Sequence, residues 1–166
     1  MYKKICIFLF SVLISLGTMY IMAAESPKDT DTFFEKYARQ QGFSTSHYEG
    51  NIAKVSQQYI QDPSMRSFLS QAKSLDVLSY SRNNTNLNGG QLFVELLQTL
   101  RDANYQPLHS RRQHGKVMGV LYRSVNANHQ ELVIVNAEYE NFKCLRLIGS
   151  FDALRSIAPQ NPRMAF

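Results

Sequence analysis

Residues 108–151 read LHSRRQHGKVMGVLYRSVNANHQELVIVNAEYENFKCLRLIGSF, and this stretch decides the fold. It holds four strand-like segments: Leu108–Arg112, Lys116–Ser124, Glu131–Glu138 and Phe142–Phe151. Turn residues separate them at His114-Gly115, Asn126-Ala127-Asn128 and Glu140-Asn141. Links this short join antiparallel neighbours, because a parallel pair needs a much longer crossover. The segments therefore predict a four-stranded meander. Leu132-Val133-Ile134-Val135 is apolar at every position, as expected of a central strand buried on both faces.

Working upstream, Leu92, Phe93, Leu96, Leu97, Leu100 and Ala103 recur every three or four residues, with Gln91, Glu95, Gln98, Arg101 and Asp102 between them. That is a helix with one apolar face, suited to lie on a sheet. Leu75–Tyr80 reads as a buried strand ended by the turn-rich Asn83-Asn84-Thr85-Asn86. Before it, Asp62-Pro63 suits a helix start, with Met65, Phe68, Leu69 and Ala72 as its apolar members. Ile52–Tyr59 has helical spacing, and Phe43–Glu49 is strand-like. The first helix carries Phe33, Phe34, Tyr37 and Ala38; Thr32 is expected to cap it and Gly42 to stop it. Downstream, Asp152–Ile157 forms a last short helix before the Pro159 and Pro162 tail. The sum is one α+β domain over 33–157, in two layers, with helices on one face of a mostly antiparallel sheet and a tail at 158–166.

The first 24 residues have a different character. Lys3 and Lys4 precede an apolar run from Ile5 to Ile21, and small Ala23 and Ala24 come just before a polar, Pro-containing segment. This is the order of a secretory signal peptide, cut after Ala24, with 25–32 as a flexible leader. The expected location is outside the cytoplasm. The alternative is an uncleaved N-terminal helix anchoring the chain in the inner membrane, since the run is just long enough to span a bilayer.

Removing 24 of 166 residues leaves 142, enough for one domain with a real core. Without Lys3 and Lys4 the balance is 16 basic against 13 acidic residues, too mild to argue for nucleic acid. Cys144 is then the only cysteine, so no internal disulfide is expected and the domain must be held by packing.

This layout resembles a family of small exported proteins of unknown function from Gram-negative bacteria. The residues that carry the resemblance are the Lys36-Tyr37 helix ending at Gly42, the Leu75–Ser79 strand, and Tyr105 after the long helix. The pairing of Glu131–Val135 with Leu145–Gly149 completes them. The resemblance implies a periplasmic or outer-envelope protein, in some members lipid-anchored and encoded beside envelope-responsive sigma factors. This chain departs from that pattern in lacking a lipidation cysteine, since Cys6 lies at the start of the apolar run. No catalytic residue is carried over.

The residues with chemical potential have plain readings. His47, His109, His114 and His129 lack the spacing of a metal site, and Arg111 and Arg112 between two of them would repel a cation, so no metal and no cofactor are expected. Cys144 in a strand reads as a buried structural thiol. Gly89-Gly90 is followed by Gln91 rather than the lysine of a phosphate-binding loop, and reads as a flexible helix entry. Glu131, Glu138 and Glu140 fall at strand ends and turns, where solvation is the default.

One cluster stands out as a binding candidate: Arg111, Arg112, His114 and Lys116 at a hairpin tip, with Arg123 near its far end and Tyr122 as an aromatic neighbour. Arginine grips carboxylate or phosphate in bidentate fashion, so the partner would be another envelope protein or an anionic envelope component, with peripheral membrane association. The leading reading is a non-enzymatic binding or accessory module. The alternative is a small periplasmic hydrolase, or a lipid- or ligand-binding protein, whose site is assembled from distant residues.

Overall fold

Alternation of apolar side chains in the second half does build the sheet. The computed structural model describes residues 29–56, 66–82, 86–126, 128–152 and 154. The elements in chain order are α1 (Thr30–Ala38), β1 (Phe43–Glu49), α2 (Ile52–Ser56), α3 (Arg66–Gln71), β2 (Ala72–Ser81) and α4 (Gly89–Asp102). The meander follows as β3 (Gln106–Gln113), β4 (Lys116–Asn126), β5 (His129–Ala137) and β6 (Asn141–Gly149). All six strands form one antiparallel sheet in the order β1-β2-β6-β5-β4-β3. β5 and β6 occupy its centre, as the apolar run at 132–135 requires.

Both faces of that centre are dry. Val133, Val135, Phe142 and Cys144 face α1 and α4, where Phe33, Tyr37, Leu92, Leu96 and Leu100 complete the larger core. Leu132, Ile134, Leu145 and Leu147 face the other way, onto Ile52 of α2, Leu69 of α3, Phe151 and Leu154. The helices of the expected layer are thus α1 and α4, and a smaller apolar cover lies over part of the second face. Each large side chain buried in these two cores contributes about 1.5–3 kcal/mol by leaving water.

Local chemistry sets the helix ends. Asp29 caps α1: its Oδ1 accepts from the Thr32 amide at 3.0 Å, and the Thr32 hydroxyl oxygen accepts from the Asp29 amide at 3.2 Å. Thr32, expected as the cap, is therefore the third residue of the helix and the return half of a capping box. The helix begins at Thr30, which is buried, so 30–32 belong to the domain rather than to a leader. Asn88 and Gln91 make the same reciprocal box at α4.

α4 ends in a Schellman motif. Asn104 sits at φ +62, its amide bonds Arg101 O at 3.0 Å, and the Tyr105 amide bonds Leu100 O at 2.9 Å. Gly89, read as a flexible entry, is instead the buried first residue of α4, packed on the backbone of the β5–β6 turn. Ala72, assigned to a helix from its spacing, opens β2.

Several expectations fall outside the described residues: the signal peptide with its cleavage at Ala24, residues 25–28, the helix start at Asp62-Pro63, the turn at 83–85 and the tail from 158 onward. Among the described residues no helix is long and apolar enough to cross a membrane.

Candidate functional site

The β3–β4 hairpin closes on His114 at φ +49 and Gly115 at φ +76, the two positive values of a tight two-residue turn. This turn aligns Arg111 with Met118, Arg112 with Val117 and Gln113 with Lys116. Cross-strand partners share a face, so the register divides the basic cluster. Arg111 and Lys116 project on the second face of the sheet. Arg112 projects with Val117, which packs against the α1–α4 core, and so points to the opposite side.

Arg111, His114 and Lys116 line a shallow groove of about 420 Å³ together with Met118, Asn136 and Glu138. Lys116 Nζ lies 2.7 Å from Glu138 Oε1, and Arg111 Nη2 donates to Gln113 Oε1 at 2.5 Å. A second groove of about 560 Å³ shares Asn136 and Glu138 and continues past Lys143 to Ser79 and Ser44. The register explains this continuity. Ser44, Ser79, Lys143, Asn136, Met118 and Arg111 are successive cross-strand partners, one from each of the six strands. At about 4.8 Å per strand they form a row roughly 24 Å long, polar at every position but Met118, with a cation at its β3 end and another on β6. Such a row can hydrogen-bond an extended acidic ligand.

Tyr122, the aromatic neighbour, does not reach the tip, and Arg123 lies toward the hairpin's far end. Tyr122 is buried in the second-face core, and its hydroxyl donates to Gln106 Oε1 at 2.8 Å. Arg123 lies at the opposite end of β4, where its Nη2 reaches both Glu131 oxygens at 3.0 Å and its guanidinium stacks 4.7 Å from the Tyr105 ring centre.

That end of the sheet holds polar groups the sequence reading missed. Glu131, expected to be solvated, is only 6% exposed. Tyr105, aimed inward by the Schellman turn, donates its hydroxyl to Glu131 Oε2 and shares a 2.9 Å bond with the Thr30 hydroxyl. Burial by itself would raise the Glu131 pKa. The hydrogen bonds from Tyr105 and Arg123, with the guanidinium charge, outweigh it and hold the carboxyl below its ordinary value. Burial pushes the Tyr105 hydroxyl up, and the bond to Glu131 adds to the shift.

A second ionic group lies one register step away. Arg146 Nε and Nη2 hold Asp76 Oδ2 at 3.0 and 2.9 Å, and Nη1 reaches Asp31 of α1 at 2.5 Å. His47 Nδ1 is 2.6 Å from the other Asp76 oxygen, and its Nε2 is 3.2 Å from Glu49. Those carboxylates raise the His47 pKa, Asp76 first. Together the two groups tie α1 to the sheet. No spacing signal could reveal them, because Arg146 and Asp31 are 115 positions apart and Tyr105 and Glu131 are 26 apart.

Cys144 is fully buried, and burial drives its thiol pKa upward, away from the thiolate. Among the described residues no three His, Cys, Asp or Glu side chains are grouped to hold a metal ion.

No curated protein matches the chain. A family profile described as a domain of unknown function (DUF4252) matches residues 37–155. That span contains all six strands and α4, and with it both the polar row and the Tyr105–Glu131–Arg123 group. The chain belongs to the DUF4252 family.

Proposed function

We propose that this protein is an exported, non-enzymatic binding module of the cell envelope that takes an acidic partner along the polar row of its second sheet face. The observation that carries the reading is the grouping of Arg111, His114 and Lys116 at a groove that runs on past Asn136 to Lys143 and the serines of β1 and β2. These groups donate hydrogen bonds and offer positive charge, which suits carboxylate or phosphate. The buried carboxylate of Glu131 is ill placed for hydrolysis, because Tyr105 and Arg123 occupy it. Lys143, Asn136 and Ser79 join the tip residues as proposed contacts, and Arg112 leaves that set.

The test is in-cell crosslinking of tagged protein, with Arg111→Ala and Arg112→Ala as separate variants. Loss of a captured acidic partner with R111A, and its retention with R112A, is expected. Equal loss in both variants, or retention in both, would remove the groove as the binding site. Export is tested by intact mass: a chain beginning at Glu25 is expected, and an uncut chain would replace export by N-terminal anchoring.

A further inference from the structure

The sheet has two edges, and they are defended unequally. At β3 the edge carries Pro107, a register shift between Pro107 and His109, and the exposed charges of Arg111 and Arg112. Proline, bulges and charge are the devices by which edge strands avoid pairing with another chain. β1, at the other edge, has neither proline nor bulge, and its ionisable side chains, His47 and Glu49, are confined to its last three residues. Phe43-Ser44-Thr45-Ser46-His47-Tyr48-Glu49 runs in unbroken register against β2, and its middle residues Ser44 to His47 are exposed.

The outward hydrogen-bonding groups of β1 can be named. Gly42 O accepts from the Ser81 amide at 3.0 Å, and the Gly50 amide donates to Lys73 O at 3.2 Å. In an antiparallel ladder these inward bonds recur at every second residue, so Thr45, His47 and Glu49 turn their N–H and C=O away from β2. Among the described residues no hydrogen bond reaches those outward backbone groups.

We propose that β1 pairs antiparallel with β1 of a second copy of this chain about a two-fold axis at Ser46. In that register Ser46 faces Ser46, Thr45 faces His47, Ser44 faces Tyr48 and Phe43 faces Glu49. The one base and one acid of the strand each meet an uncharged residue, so no like charges oppose. A two-fold contact closes on itself, and the joined sheet would end at two defended β3 edges. The asymmetry of the single sheet is then accounted for. A seven-residue edge buries less than the roughly 1,200 Å² of a stable complex, so the dimer is concentration-dependent.

Sedimentation velocity of the protein over a wide concentration range tests this, beside Ser46→Lys, Ser46→Glu and their mixture. Ser46 is exposed, and unchanged circular dichroism checks that each variant folds. Wild type is expected to dimerise, and each variant alone to weaken the dimer roughly fivefold, because like charges then face each other. Mixing the two variants is expected to restore it. A wild type monomeric at every concentration overturns the proposal. So does a dimer unaffected by either charge, or one that mixing does not restore. Amide exchange at Thr45 and Glu49 gives a second readout: protection must rise with protein concentration, and protection independent of it means that the chain covers its own edge.

Discussion

Glu131→Ala is expected to lower stability by about 3 kcal/mol, because truncating one side of a buried ion pair strands the other. In this variant Arg123 keeps its stacking on Tyr105 and a 3.4 Å bond to Ala103 O, and among the described residues its Nε has no hydrogen-bond partner even in the intact protein. Tyr105 retains the Thr30 hydroxyl. The Arg123 side chain is 26% exposed, so water can reach it, which puts the cost at the low end of the ~3–5 kcal/mol range. Thermal denaturation should show a fall of about 10 °C.

Glu131→Gln adds the pH dependence. The carboxyl pKa is depressed in the folded protein, so its stabilisation is fully present above the unfolded-state value near 4.5. It is lost as pH falls through the folded value. The gap between wild type and E131Q should therefore be widest near neutrality and close on acidification. A gap that stays constant with pH would mean that the charge of Glu131 does not stabilise the fold.

Gly89→Ala is expected to cost about 3 kcal/mol as well, by a steric route. A Cβ at this position would lie 2.0 Å from Glu138 O and 2.3 Å from Asn141 O, both main-chain atoms of the β5–β6 turn. Neither can rotate aside. α4 must lift from the sheet on which Leu92, Phe93 and Leu96 are bedded, or the turn must move. Gly90→Ala is the control: its Cβ would meet only Asn88 Oδ1 at 3.2 Å, and alanine is the better helix former by about 1 kcal/mol. Denaturant midpoints should separate the two variants in opposite directions. Glu138 and Asn141 also line the second groove, so G89A should weaken partner binding at temperatures where it remains folded.

These two positions show where sequence reading stopped. A run of glycines before a helix carries no record of which backbone it touches. The contact between Gly89 and Glu138 is made by the turn 49 residues downstream. Glu131 likewise opens a strand pattern and reads as a solvated end, because its partners Tyr105 and Arg123 come from other elements. Burial of a polar group is a property of what packs over it. By contrast, 132–135 could be placed from their own character, since a strand apolar at each position must be covered on both sides.

The basic tip shows the same division within four residues. Arg111 and Arg112 are neighbours in sequence, and their charge and exposed hairpin setting follow from the residues themselves. The two-residue turn at His114-Gly115 then sets the register, and period-two alternation sends the two side chains to opposite faces. Sequence by itself determined the elements that depend on local periodicity and turn chemistry: the meander, the amphipathic α4 and the antiparallel α+β class. Only the tertiary structure decided the sheet order that sets β2 beside β6, the second core, and the ion pair between Arg146 and Asp31 that helps hold α1. The physical reason is range: backbone periodicity acts over a few residues, whereas desolvation and charge pairing depend on groups that meet only when the chain has folded.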